Sequence, residues 1–241
     1  MSKEPIKTHQ RRPNPTQEPA QHTKKIYTQR GEKNKIGDSK LLISFTAEST
    51  VPGVIEAVLS AASRPSYSVI FITDLTISTS YVFQITDHLR IPGGVGSFVK
   101  GFDSNATTET FFSVMFPDIK RLRQRSSYPT VVVISDDLAF LATFVKWSLK
   151  GRLLVWSTRL LVVTRLPLHH LHHHYTAFSK MNAMLLIIHD DDDIASIRCN
   201  VYVQLPFSPR GTQPLWVASW TPQRGLALTS SLPLFPDKFS R

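Results

Sequence analysis

The chain has 241 residues, 41% of them hydrophobic, with one cysteine and a formal net charge of +10. That length and composition allow a packed core in one large or two small domains, and Cys199 alone excludes an intrachain disulfide framework. No apolar run approaches the roughly 18–20 residues of a membrane span, and a polar, basic stretch follows Met1, so the sequence predicts neither a secretory signal nor membrane insertion by this chain alone.

Residues 1–40 carry much of the positive charge, in Arg11-Arg12, Lys24-Lys25 and Lys33-Asn34-Lys35. Their large apolar side chains are few: Ile6, Ile26, Tyr27 and Ile36. Burying each yields about 2 kcal/mol, whereas ordering the backbone costs about 1–2 kcal/mol per residue. Residues 1–40 are therefore expected to be a disordered basic tail, and 41–241 an α/β domain. The tail reads as a basic arm for nucleic acid or lipid, or more simply as a solvated tail. Aromatic residues do not interleave with its basic ones, so no nucleic-acid partner is expected.

Leu41-Leu42-Ile43-Ser44-Phe45 predicts a first strand. Thr50 is a candidate N-cap of a helix with Pro52 in its first turn, and Val54, Ile55, Val58, Leu59 and Ala62 follow at helical spacing. Residues 68–72 predict a second strand, ending at Thr73-Asp74. Tyr81, Phe83, Ile85 and Leu89 mark the next helix. Pro92-Gly93-Gly94 breaks the chain before a short strand within 95–102. Residues 107–125 predict a helix that Pro117 kinks or divides.

The stretch from Tyr128 to Ile188 organises the rest. Three apolar runs, residues 130–134, 153–156 and 184–188, alternate with helical segments, the first of them over 138–149. Unalternating runs of Val, Ile and Leu read as strands buried on both faces, and strand–helix alternation as a mainly parallel sheet flanked by helices. Residues 197–205 predict another strand, and 216–220 a short one. The terminal run from Leu232 to Phe239 carries apolar side chains that need a cover.

Two clusters carry conceivable chemistry. His169, His170, His172, His173 and His174 lie in what reads as a helix, where His169 and His173 share a face, as do His170 and His174. Imidazoles one turn apart can chelate zinc; the glutamate of the HExxH pattern is missing, and an exposed, histidine-rich face is the simpler reading. Asp190, Asp191, Asp192 and Asp193 follow a strand end, as do Asp74, Asp136 and Asp137. Carboxylates there can hold magnesium and a phosphate. As simpler readings, Asp74 and Asp136 cap helices, worth about 1 kcal/mol each, and the four consecutive aspartates form a solvated loop. Gly96 and Gly101 have P-loop spacing, but Phe102 replaces the lysine. Cys199 reads as a core residue, Asn105-Ala106-Thr107 as a glycosylation sequon of consequence only in a secreted chain, and residues 120–125 as an anion-binding patch or a solvated basic helix end. No catalytic, metal-binding or cofactor-binding residue is assigned.

Trp147-Ser148-Leu149-Lys150-Gly151-Arg152-Leu153-Leu154-Val155-Trp156 and the run on to Leu168 resemble the amino-terminal region of arthropod ionotropic receptors, most closely divergent receptors of decapod crustaceans. Residues 178–187, Arg198-Cys199, Leu205-Pro206, Ser208-Pro209-Arg210-Gly211 and Trp220-Thr221-Pro222 fit the same region. Leu234-Phe235-Pro236-Asp237-Lys238-Phe239 resembles the segment just before the family's glutamate-receptor-like ligand-binding core. The resemblance implies an extracellular α/β module of a chemosensory cation channel, partnered by other receptor subunits. Ligand-binding lobes, pore and binding arginine have no matching positions; Arg210 and Arg224 are not assigned that last role. The expectation is an amino-terminal module or fragment without channel or enzyme activity of its own. The alternatives are a metal-dependent hydrolase or phosphotransferase using Asp74, Asp136 and Asp190, and a basic-tailed nucleic-acid module.

Overall fold

A computed structural model of the protein describes residues 41–62, 68–74, 79–89, 98–99, 107–125, 129–153, 158–189, 197–205, 208–209 and 211–235, all within one unit, Asp38–Arg241. The tail expected over residues 1–40 lies outside them. In chain order the elements are α1 (Leu41–Ala61), β1 (Ser68–Thr73), α2 (Thr79–His88), β2 (Phe98–Val99), α3 (Thr108–Arg125), β3 (Pro129–Ile134) and α4 (Leu138–Lys150). Then come β4 (Arg159–Thr164), a 3₁₀ helix η1 (Leu168–His174), α5 (Tyr175–Phe178), β5 (Asn182–His189), β6 (Arg198–Gln204), β7 (Leu215–Thr221) and β8 (Gly225–Leu228).

The strands form one sheet in the order β2-β1-β3-β4-β5-β6-β7-β8. β1 to β5 pair in parallel and β6 to β8 continue antiparallel. The switch has a simple cause. A parallel connection needs a crossover of about a dozen residues or more, and residues 190–197 are too few to supply one, so the chain returns beside β5. The sheet is thus mixed, with the expected parallel part running from β2 to β5 and an antiparallel part from β6 to β8.

Both faces of β1, β3, β4 and β5 are buried. Val69, Phe71, Val132, Ile134, Leu161, Val163, Met184 and Leu186 pack on one face with residues of α1 and α2. The intervening Ile70, Ile72, Val131, Val133, Leu160, Val162, Leu185 and Ile187 pack on the other with α3, α4, η1 and α5. Burial of each such side chain contributes about 1.5–3 kcal/mol, which explains the unbroken aliphatic runs. The helix after β1 and the helix after β3 lie on opposite faces, which puts the topological switch point, the usual place for a crevice in such sheets, between these two strands at their carboxyl ends.

Several expectations are corrected. Residues 41–45 are the first turns of α1, not a strand; so short an apolar run does not distinguish the two periods. Pro52 lies inside α1, not in its first turn. Phe83 faces solvent at 50% exposure, and Val82 takes the buried place. Pro117 does not divide α3, which runs on to Arg125. Of the strand expected at 153–156, residues 154–156 lie outside the described residues, and Leu153 is a buried residue of the turn after α4, its N–H donating to the Ser148 carbonyl at 3.0 Å. Arg159 opens β4, its guanidinium buried 4.8 Å over the Phe235 ring. Leu234 and Phe235 are themselves buried within the first cluster, so this part of the terminal apolar run is covered by the chain's own core. β8 has no counterpart among the predicted strands.

Two glycines permit close contact between layers. A Cβ at Gly53 of α1 would lie 2.8 Å from Cζ2 of Trp220 on β7. One at Gly151, beyond α4, would lie 2.9 Å from Cδ1 of Phe116 on α3. Gly151 has an ordinary φ of −79°, and the left-handed turn falls to Arg152 at φ 50°.

Candidate functional site

The described strand-end acids stand at the carboxyl ends of β1 and β3, each with its own partners. Asp74, just beyond β1, is buried, and its carboxylate accepts a hydrogen bond from the hydroxyl of Ser135, just beyond β3. The same Ser135 oxygen accepts the Asp137 N–H at 3.0 Å, and the Ser135 N–H donates to the Val163 carbonyl at 3.1 Å. Ser135 thus ties β1, the β3 turn and β4 into one corner.

Asp136 and Asp137 diverge from that corner. Asp136 Oδ1 accepts the Arg165 N–H at 2.6 Å and the Thr164 hydroxyl at 3.2 Å, while its Oδ2 lies 3.0 Å from Arg165 Nε. Asp137 caps α4, its Oδ1 accepting the Ala139 N–H at 2.8 Å. The helix-capping role expected of Asp136 therefore belongs to Asp137; Asp136 pins the β4 turn. Each of these carboxylates receives a donor from the chain itself, an arrangement suited to holding the loops around a crevice in fixed geometry. Residues 190–193 lie outside the described residues, as do the glycines of 93–102, Asn105 and Arg210. Thr107 of the sequon immediately precedes α3, its Oγ1 accepting the Thr110 N–H at 3.2 Å.

The histidines take a geometry different from the expected one. η1 has three residues per turn rather than 3.6. His169 therefore aligns with His172, His170 with His173, and Leu171 with His174, and the anticipated i,i+4 pairs do not share a face. His172 Nδ1–H donates to the His169 carbonyl at 2.6 Å. The rings of His172 and His173 lie 3.5 Å apart between centroids, and those of His169 and His170 lie 4.3 Å apart. Leu171 and His174 are buried, and the other four histidines are exposed. Burial, reinforced by the charges of His173 and then His172, holds the His174 imidazole below the usual histidine range. Among the described residues, no group of three or more His, Cys, Asp or Glu side chains is placed to hold a metal ion.

Cys199 is a core residue of β6, and burial pushes its thiol far up, so it is no nucleophile near neutral pH. Lys120 and Arg121 are exposed on the last turns of α3, with Arg121 3.9 Å from Asp118. Arg224 lies in the β7–β8 turn, its N–H donating to Thr221 Oγ1 at 3.2 Å.

Sequence reasoning missed a polar joint between α3 and α4. Glu109 accepts from Lys146 Nζ at 2.6 Å and from Trp147 Nε1 at 2.5 Å, and Lys150 lies 4.6 Å over the Trp147 ring. The Lys146 and Trp147 hydrogen bonds hold the exposed Glu109 carboxyl below the usual glutamate range. No protein-family model matches the sequence, and no curated protein matches it.

Proposed function

We propose that the chain is an amino-terminal module of a chemosensory ionotropic receptor, borne on the extracellular side of the plasma membrane, where it contacts other receptor subunits. One observation carries this reading. The residues that resemble such receptors do not fall on one loop; they run through α4, β4, α5, β5, β6 and β7 and reach the buried Leu234 and Phe235. The resemblance therefore follows the framework of the sheet, as expected of a shared domain and not of a shared short motif.

In this reading the switch point between β1 and β3 is a structural corner, and the module acts through its surface. Trp216 and Leu228, 53% and 61% exposed on β7 and β8, supply apolar area of the kind subunit contacts use. Among the described residues no helix is long and apolar enough to cross a membrane, in keeping with a module that inserts nothing by itself. By this proposal the chain alone has neither channel nor enzyme activity.

The decisive experiment is to read the transcript beyond the codon for Arg241. The proposal expects an in-frame continuation into two ligand-binding lobes and membrane spans; a natural stop there would count against it. Cation flux through liposomes reconstituted with this chain alone would overturn the absence of channel activity.

A further inference from the structure

The histidine-rich turn has no part in the proposed function, and its construction is unusual. At seven residues, η1 is long for a 3₁₀ helix, a form that rarely exceeds three or four because its hydrogen bonds are poorly aligned. Its N-cap is Pro167, with no side-chain capping bond. What holds it is the inward pair Leu171 and His174, the Tyr175 hydroxyl donating to the Leu168 carbonyl at 2.5 Å, and the buried Tyr175 and Phe178 of the following α5. His174 packs with its ring centroid 6.1 Å from that of Phe178. A titratable ring therefore stands in one of the few apolar anchors of a weak element.

We infer that η1 and α5 form an acid-released clasp: proton uptake by His174 frees residues 168–178 from the sheet and bares Leu171, Tyr175 and Phe178. The groups around it fix the direction. On η1 itself stand His172 and His173, whose charges oppose a proton on His174, with His169 and His170 earlier in the same turn. From α5 comes Tyr175, whose hydroxyl is kept protonated by burial and then by Tyr202 of β6. Lys146 and Lys150 of α4 turn to Glu109 and the Trp147 ring. Imidazole is the side chain whose charge ordinarily changes between pH 7.5 and 5, and a buried one is costly to charge while the clasp is shut. A freed His174 regains water and takes its proton readily. The open form thus binds more protons, so closure is favoured fully above the ordinary histidine pKa and weakens as pH falls from there towards the lowered value.

Hydrogen exchange of the full chain, compared at pH 7.5 and 5.0 after correction for intrinsic rates, tests this. Amides of residues 168–178 are expected to exchange about ten-fold faster at pH 5.0 than at pH 7.5, with β5 unchanged. His174→Phe keeps a ring and removes the proton site, and should abolish the acceleration. Should that variant lose its far-ultraviolet circular dichroism, the wild-type Cε1–H resonance decides: His174 must titrate below the usual histidine range. No acceleration, acceleration spread evenly over the strands, persistence in a folded His174→Phe, or a His174 titration within the usual histidine range would each overturn the clasp.

Discussion

A methyl group added at Gly53 has nowhere to go, because the rigid indole of Trp220 occupies the space. Alanine is the better helix former by about 1 kcal/mol, yet the clash outweighs that gain. Gly53→Ala is expected to destabilise the protein by about 1–2 kcal/mol, measured by urea denaturation. Trp220→Phe should recover part of the loss, so that the two changes are non-additive. At the switch point, Ser135→Ala removes a donor from the buried Asp74 and an acceptor from the Asp137 N–H together, an expected loss of about 1–3 kcal/mol. Asp137→Ala removes only the α4 cap and should cost about 1 kcal/mol. A loss for Ser135→Ala below about 0.5 kcal/mol would mean that the Asp74–Ser135 bond adds nothing.

Between elements, the α3–α4 contact is an aromatic layer with a polar rim. Phe112 lies 5.1 Å from Phe140 and 6.1 Å from Phe144 between ring centroids, and it is fully buried. Phe112→Ala should cost about 3–5 kcal/mol by thermal or chemical denaturation. On the rim, the lowered Glu109 carboxyl means that its link to Lys146 and Trp147 is complete above the ordinary glutamate pKa and is lost as pH falls through the lowered value. The Trp147 indole N–H resonance should shift over that range, and Glu109→Gln should remove the shift. The sequence made such elements legible unevenly. β1, β3 and β5 stand out as aliphatic runs because both their faces are buried. β4 opens on Arg159, whose burial over Phe235 depends on a residue far along the chain. The periodicity of η1 was misjudged because histidines mark no face, and a 3₁₀ turn reads locally like an α-helix. The strand-end acids were legible as Asp74, Asp136 and Asp137. Ser135 was not, since its partner lies 61 residues earlier and only the parallel pairing of β1 with β3 brings them together.

For the molecule as a whole, the described sheet ends at β2 on one side and β8 on the other. β8 is short, four residues, but it carries Leu228 at 61% exposure at an edge of the described sheet. Open apolar edges are templates for pairing with another chain. Leu228→Lys is expected to lower concentration-dependent association in analytical ultracentrifugation while changing stability by no more than about 0.5 kcal/mol. The antiparallel end has a further consequence. β6, β7 and β8 adjoin in sequence as well as in space, so they close by small loops, whereas every pairing from β1 to β5 must wait for a long excursion. On the ribosome the hard-to-close strands emerge first and stand with open edges until the easy ones arrive. Refolding from denaturant escapes that order, and its earliest protected amides should be those of the last strands translated.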